Sequence, residues 1–169
     1  DNISSQPHQP DDVILPPYHP DTELVRRDYA RYYDEISRLD RFVGLVLDEL
    51  EAQNAVEDTV VIFLSDNGRP FPRDKTSLYD SGIRTPLIIR WPAKIKAASR
   101  CLQLVSTIDL ATTILALAGF PAGSTYMGKD ITSLLEGKDA QVRDVIFAEK
   151  NWHDYEDRSR AVRDRRFKY

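Results

Sequence analysis

The chain has 169 residues, of which 41% are hydrophobic and 30% are charged, and its formal net charge is −4. This balance fits one folded domain with a hydrophobic core and excludes a chain that is disordered throughout. The acidic charge argues against general nucleic-acid binding, which needs a basic surface. No apolar run reaches the length of a membrane span.

Residues 1–20 are predicted to form an extended connector. They contain five prolines and many Asp, Ser and Gln residues, and proline interrupts helices and strands. His8 and His19 lie in this segment, where no neighbouring residues have the spacing of metal ligands. We therefore expect both histidines to face solvent.

A long helix is predicted to follow. Asp21 or Thr22 can cap its start, and Asn54 is expected to end it. We expect one face to pack on a sheet, since the few heptads disfavour a coiled coil. The apolar residues of that face recur in steps of three and four: Val25, Tyr29, Tyr32, Ile36, Leu39, Val43, Val46 and Leu50.

Two short apolar runs predict strands with a long loop between them. Residues 60–64 are rich in β-branched side chains and predict a strand buried on both faces, as in a parallel sheet. Residues 87–91 predict the second strand. A long loop anchored at both ends is commonly functional, and Asp66 and Asn67 stand at the strand end where open α/β sheets place ligands.

Two interpretations of Asp66 and Asn67 remain open. Both residue types are common in turns, so the pair can simply end the strand. The pair also offers one charged and one neutral oxygen ligand, which suits Ca²⁺ or Mg²⁺ better than Zn²⁺. Calcium takes roughly six to eight oxygen ligands, so the remaining ligands would come from elsewhere.

A second helix is predicted from Thr107 to Ala118. Ser106 and Asp109 resemble a capping box at its start, and Gly119 is expected to close it. A short helix capped by Asp130 follows. The face predicted to be buried in the second helix consists of Ile108, Ala111, Ile114, Leu115 and Ala118.

The end of the chain predicts strands and carries many basic residues. Residues 144–149 have a strand pattern, and residues 161–169 indicate a β-hairpin that turns near Asp164 and Arg165. The basic residues could attract a polyanion, or they could form a solvated face of mixed charge. They are Arg158, Arg160, Arg163, Arg165, Arg166 and Lys168.

The order and spacing of the motifs resemble the carboxyl-terminal part of type I sulfatases of the alkaline phosphatase superfamily. The motifs are SDNG, then Lys75 in KTSLYDSGIRTP, then an apolar strand that ends in Trp91–Pro92. The likeness runs from VGLVLDELEAQN to RAVRDRRFKY. The segments SDNGRPFP and AEKNWHD are most similar to the branch that includes N-sulfoglucosamine sulfohydrolase (heparan N-sulfatase).

This resemblance implies an α/β fold of the alkaline phosphatase type. Residues 21–120 would form part of a mainly parallel sheet flanked by helices, and residues 121–169 a smaller antiparallel subdomain. It also implies hydrolysis of sulfuric esters or N-sulfates in a sulfated sugar or glycosaminoglycan. The expected compartment is periplasmic, secreted or lysosomal.

The resemblance also assigns residues to a site. Asp66 and Asn67 would be Ca²⁺ ligands, with Mg²⁺ as an alternative, and Lys75 would bind a sulfate oxygen. In the complete enzyme a hydrated formylglycine would attack sulfur while the cation orients it and polarises the sulfate. His153 is a candidate sugar contact, although a loop histidine beside an aromatic residue is more often structural or exposed.

The departures from the family pattern matter equally. The motif C/S-x-P/A-S/A-R, which supplies formylglycine, is absent, and so are the family's amino-terminal Asp pair and catalytic histidines. The only cysteine, Cys101, excludes an internal disulfide framework and is predicted to be a buried small hydrophobe. We therefore expect a portion of a longer enzyme that is inactive by itself.

Two alternatives to a sulfatase stay open. One is a phosphatase or phosphodiesterase of the same superfamily, although such enzymes typically place Asp-His-Gly where this chain has Asn67. The other is a non-catalytic glycan-binding remnant. The sequence does not indicate an oligomeric state.

Overall fold

The computed structural model describes residues 7–138, 140–153 and 155–169. The chain divides into two compact units, Asp1–Thr59 and Val60–Tyr169. The domain boundaries expected at residues 20 and 120 remain a prediction. In the described ranges, no helix combines the length and apolar character needed to cross a membrane.

The first unit consists of a one-turn 3₁₀ helix, Pro10–Asp12, and the long helix α1, Glu23–Ala52. Thr22 caps α1, because its hydroxyl accepts a hydrogen bond from the Val25 N–H. The helix stops at Asn54, whose φ is +53°. The Asn54 N–H donates to the Glu51 carbonyl, and the Ala55 N–H donates to the Leu50 carbonyl. This pair of hydrogen bonds is a Schellman motif. Both predicted ends of the helix are confirmed.

The predicted apolar face of α1 is buried only near its start. Tyr29 is fully buried, whereas Ile36, Leu39 and Val46 are 46%, 48% and 57% exposed. The segment before the helix covers its first turns, since the Arg26 guanidinium donates to the Pro10 carbonyl. The expectation that the whole face packs against other elements is therefore wrong for the described residues.

The two histidines before α1 contact the helix. His19 Nδ1 lies 2.8 Å from the Tyr29 hydroxyl, and His8 Nδ1 lies 2.9 Å from a carboxylate oxygen of Asp34. Both rings are half-buried. The prediction that they face solvent is wrong, because the connector folds back along the first turns of the helix.

In the second unit, β1 (Val61–Leu64) pairs with β2 (Leu87–Arg90) in antiparallel register. Val61 lies opposite Arg90, and Leu64 lies opposite Leu87. The predicted strands and their anchored loop are confirmed, and the loop contains the short helix α2, Asp80–Ile83. We predicted that β1 would lie in a parallel sheet and be buried on both faces. Both parts of this prediction are wrong for the described residues. The chain returns directly beside β1 after the loop, and Leu64 is 42% exposed.

Helix α3, Asp109–Leu117, begins two residues later than predicted and buries its polar side. Asp109 and Thr113 are fully or almost fully buried, while Ile108 and Ile114 are about half exposed. Asp109 accepts the Ser106 N–H, which confirms half of the capping box. The prediction that the apolar face of α3 is buried is wrong. The backbone around residue 130 and the Arg143 side chain cover the polar side of the helix instead.

The chain ends in a hairpin of β3, Ile146–Trp152, and β4, Glu156–Arg163. A second, tighter reversal follows, in which Asp164 accepts the backbone N–H groups of Arg166 and Phe167. The predicted turn at Asp164 is thus confirmed, and helix α4, Thr132–Leu135, starts beside Asp130 as expected. Cys101 is exposed in an irregular segment, so its predicted burial is wrong.

Candidate active site

The loop between β1 and β2 is closed at its base by two glycines. The Gly68 N–H donates to the Gly82 carbonyl at 2.9 Å. A Cβ atom on Gly68 would lie 2.0 Å from the Ser81 oxygen, and one on Gly82 would lie 2.2 Å from the Asp74 oxygen. The two backbones therefore approach as closely as only glycine allows.

An ion pair between a buried aspartate and a partly exposed arginine organises the middle of this loop. The Asp74 side chain has no exposed surface, and Arg69 Nε lies 2.8 Å from its carboxylate. On either side of Asp74 and Lys75, Arg73 and Thr76 have φ values of +69° and +68°. Such backbone is unusual for side chains other than glycine and costs on the order of 1–3 kcal/mol per residue. The surrounding contacts hold the loop in this conformation and so fix the position of Lys75.

Lys75 is exposed at the tip of this segment. Its backbone N–H donates to the Arg69 carbonyl at 2.9 Å, which anchors the residue without using its ammonium group. An exposed ammonium on a fixed backbone is suited to bind an anion. The sequence interpretation of Lys75 as a sulfate contact remains a proposal.

Asp66 and Asn67 lie directly after β1. Asp66 is exposed and Asn67 is half-buried. The Asn67 amide nitrogen donates to the Gly68 carbonyl at 2.8 Å, which leaves its oxygen as the atom available to a cation. The Ser65 hydroxyl donates to the Asn67 carbonyl and tightens the turn.

A cavity of about 530 Å³ brings three of the four predicted residues together. Asn67, Lys75 and His153 line it, whereas Asp66 is not among its lining residues. A larger cavity of about 770 Å³ lies between the β1–β2 loop and the β3–β4 hairpin, and Lys75 and His153 line it as well. The volumes of both cavities are typical of ligand sites.

Asp80, at the start of α2, ties the loop to the end of the chain. Its carboxylate accepts hydrogen bonds from Lys168 at 2.7 Å and from Arg163 at 2.8 Å. The hydrogen bond from Lys168 and the two positive charges lower the pKa of Asp80 despite partial burial. This network holds the walls of the larger cavity in place.

Lys150 lines both cavities and was not identified from the sequence. Its side chain is only 12% exposed, and its ammonium donates to Asp157 at 2.8 Å and lies 4.8 Å from the centre of the Tyr155 ring. The hydrogen bond to Asp157 raises the pKa of Lys150. Lys150 and Asp157 are diagonal neighbours across the hairpin, and opposite charges at such positions indicate a contact. Recognising this contact from the sequence would require knowing the register of β3 and β4.

The carboxyl-terminal basic residues are mostly paired with acids. Arg158 contacts Glu156, and Arg160 contacts Glu149. Arg163 and Lys168 share Asp80. Of the two interpretations of this cluster, the mixed-charge surface agrees better with these pairs.

The residues present fit part of a site for a hard divalent cation. Asp66 and Asn67 supply a carboxylate and a carboxamide oxygen, which are ligands that Ca²⁺ and Mg²⁺ prefer. Within the described ranges, no group of three or more His, Cys, Asp or Glu side chains could hold a metal ion. A complete coordination shell would need ligands beyond this pair.

The sequence matches the family model described as "Sulfatase" over residues 2–120. It is 41% identical to the "Ulvan-active sulfatase" of Formosa agariphila over 92% of this chain and 26% of that protein. It is 39% identical to the human "N-sulphoglucosamine sulphohydrolase" over 79% of this chain and 27% of that protein. The chain thus spans about a quarter of the length of these curated relatives.

Two solved structures show the same fold. One protein, solved with its substrate D-glucosamine-2-N,6-O-disulfate, superposes with a TM-score of 0.67 at 25% identity, over 86% of this chain and 32% of its own. The phosphonate monoester hydrolase of Silicibacter pomeroyi superposes with a TM-score of 0.75 at 23% identity, over 95% of this chain and 36% of its own. The architecture is the α/β fold of the alkaline phosphatase type. With the family match, this likeness establishes that the chain belongs to the sulfatase family.

Proposed function

We propose that this chain supplies the sulfate-binding part, and two metal ligands, of a hydrolase that cleaves sulfuric esters or N-sulfates in a sulfated sugar such as a glycosaminoglycan. The observation that carries the proposal is the meeting of Asn67, Lys75 and His153 in one cavity after β1. The relatives named for ulvan and for N-sulphoglucosamine support a sulfated carbohydrate as substrate.

Lys75 is the residue proposed to bind the sulfate group. An ammonium is a compact donor that can pair with a sulfate oxygen and balance negative charge that grows during S–O or S–N cleavage. Its backbone is held by Arg69 and by the turn around buried Asp74. Binding and charge stabilisation therefore require little rearrangement of this loop.

His153 is proposed to contact the sugar. It follows β3 and lines both cavities, as Lys75 of the β1–β2 loop also does. Its backbone N–H donates to the Tyr155 carbonyl at 3.3 Å. A ring in this position can distinguish sugars by hydrogen bonding to a hydroxyl group.

Asp66 and Asn67 are proposed to be two ligands of the divalent cation that the sulfatase family generally uses, with Ca²⁺ expected and Mg²⁺ as the alternative. The bound cation would act as a Lewis acid toward a sulfate oxygen. The formylglycine of the family is expected in a segment preceding these residues. Periplasmic, secreted or lysosomal placement is proposed with the same family assignment.

The test is sulfate release by the complete protein that contains this chain. Purified protein would be offered an N-sulfated glucosamine, an O-sulfated glucosamine and an aryl sulfate, before and after metal removal with a chelator. We expect turnover of at least one sulfated sugar, loss on chelation, and recovery with Ca²⁺. Turnover of none of the three with Ca²⁺ present would refute the proposal.

A phosphonate or phosphate diester hydrolase is the second candidate. The fold shared with the phosphonate monoester hydrolase favours it, whereas Asn67 in place of a histidine argues against it. A phosphonate monoester assayed in parallel separates the two. Faster turnover of that ester than of every sulfate would select the second candidate.

A further inference from the structure

Thr76 lines both cavities of the candidate site. It lines the smaller cavity together with Asn67 and the larger one together with Tyr79, and its neighbour Lys75 lines both as well. The Thr76 residue is half-buried. A sulfate group bound by the Lys75 ammonium therefore lies in a cavity to which Thr76 contributes surface.

The backbone of Thr76 is strained. Its φ is +68°, in the left-handed region, where the Cβ atom of a β-branched residue comes too close to the backbone. Glycine adopts this conformation without that steric cost, and the same loop has glycines at its base, at positions 68 and 82. The loop thus keeps a threonine side chain where that side chain is unfavourable, and strained residues of this kind cluster at ligand sites.

The Thr76 hydroxyl is available to a ligand. Within the ranges that the structure describes, this hydroxyl forms no hydrogen bond, whereas the hydroxyls of Ser77 and Ser81 both donate to the Arg73 carbonyl. The two serines therefore support the loop itself, and the threonine does not. A hydroxyl can donate one hydrogen bond, and a hydrogen bond to an anionic oxygen is roughly twice as strong as one between neutral groups.

We propose that Thr76 is a further substrate-contact residue, whose hydroxyl donates a hydrogen bond to the sulfate group bound by Lys75. An ammonium on a flexible stem supplies charge but little directional preference. The Thr76 hydroxyl adds a second donor from a stiff, β-branched side chain, so the two residues together orient the sulfate. This inference rests on the proposed function, because it adds a residue to the same site.

Three substitutions in the complete protein separate the hydroxyl from the backbone. Thr76→Val keeps the shape without the hydroxyl, and we expect kcat/KM for a sulfated sugar to fall roughly tenfold, the loss of one hydrogen bond to a charged group. Thr76→Ser keeps the hydroxyl and should retain most of the rate. Thr76→Gly removes both the hydroxyl and the strain, so it should lose activity although its unfolding temperature is no lower than that of the wild type.

Two control variants lie outside both cavities. Ala98→Gly relieves backbone strain alone, because Ala98 has a φ of +55°. Thr125→Val removes a threonine hydroxyl from an exposed loop position. Both variants should keep the wild-type kcat/KM. A Thr76→Val or Thr76→Gly protein with the wild-type kcat/KM would overturn the inference.

Binding of inorganic sulfate separates this inference from the proposed function. Calorimetry would measure its dissociation constant with the wild type, Thr76→Val and Thr76→Ser. Weaker binding to Thr76→Val alone, without hydrolysis of any sulfated sugar by the wild type, would refute the proposed function and support the Thr76 contact. Hydrolysis by the wild type together with equal sulfate binding by all three proteins would overturn the Thr76 contact alone.

Discussion

The Asp80 carboxylate accepts a 2.7 Å hydrogen bond from the Lys168 ammonium, across 88 positions of sequence. Arg163 donates two further hydrogen bonds to the same carboxylate. One aspartate thus joins the β1–β2 loop to the end of the terminal hairpin, and the larger cavity depends on this junction.

Acid should loosen this junction. The hydrogen bond from Lys168 lowers the pKa of Asp80. The ionised Asp80 carboxylate therefore stabilises the folded state above the ordinary aspartate pKa of about 4, and this stabilisation is lost as the pH falls below that value and the carboxylate is protonated. Asp80→Asn should cost about 1 kcal/mol at neutral pH, once solvent screening is included. The unfolding temperature of Asp80→Asn should then vary less with pH between about 5 and 3 than that of the wild type. Equal variation in both proteins would contradict the assignment, and Asp58→Asn, an exposed substitution, is the control.

Removal of the Lys75 ammonium should abolish most activity in the complete protein. We expect Lys75→Ala to lower kcat/KM for a sulfated sugar by about 10²–10³, the usual effect of losing a charge-stabilising donor. Lys75→Arg should restore part of the rate, because it restores the charge. Lys96→Ala, an exposed lysine away from both cavities, should behave as wild type. A Lys75→Ala enzyme within threefold of wild type would remove Lys75 from the sulfate site.

Loss of the Asp66 carboxylate should release the metal. In the complete protein we expect Asp66→Ala to lose bound Ca²⁺, measured by elemental analysis after gel filtration, together with sulfatase activity. Asp66→Asn keeps an oxygen ligand without its charge and should bind Ca²⁺ more weakly. Unchanged calcium content in Asp66→Ala would refute the ligand assignment whatever its activity.

The buried Asp109–Arg143 pair should be important for stability. Asp109 has no exposed surface, and burial alone would raise its pKa. The hydrogen bonds from Arg143 and from the N–H groups of Lys129 and Ser106 outweigh burial, and the pKa is lowered. Asp109→Ala should therefore cost about 3–5 kcal/mol, because it leaves a buried charge and two N–H groups without their acceptor. Denaturant unfolding measures this, and Thr107→Ala nearby should change stability by less than about 0.5 kcal/mol.

A methyl group at Gly82 should disrupt the loop base. The new Cβ would meet the Asp74 and Ser77 carbonyl oxygens at 2.2 Å and 2.4 Å, and such overpacking costs about 3 kcal/mol. Gly44→Ala is the matched control, because nothing lies within 4 Å of its Cβ position in α1. That change should stabilise the helix by about 0.5–1 kcal/mol. A Gly82→Ala protein as stable as wild type would show that the loop can shift.

Local signals predicted the ends of elements well. Thr22 and Asn54 bound α1 because capping uses side-chain and backbone preferences that a few neighbouring residues determine. The strand before Asp66 was also predictable, since β-branched apolar residues are concentrated there. The sequence alone could not give its antiparallel partner, because pairing depends on how the intervening loop folds.

Burial was harder to predict where polar residues are involved. Asp109 and Thr113 are buried because Arg143 and the backbone near residue 130 satisfy them, and these contacts span 18 to 34 positions of sequence. The strand β4 was placed only in part, since its first residues, EDRSR, lack apolar alternation. Its pairing is supported instead by contacts such as Lys150–Asp157.

Because Gly68 and Gly82 meet through their backbones, the conformation at the base of the β1–β2 loop does not depend on the side chains that the loop exposes. Main-chain atoms close its base, so substitutions at the exposed positions 70, 72 and 73 can change the surface offered to a sugar while the base stays closed. Single substitutions in the loop could then change ligand selectivity while the backbone at its base keeps its conformation. These three positions are therefore the first to vary in a library that tests the proposed sugar specificity.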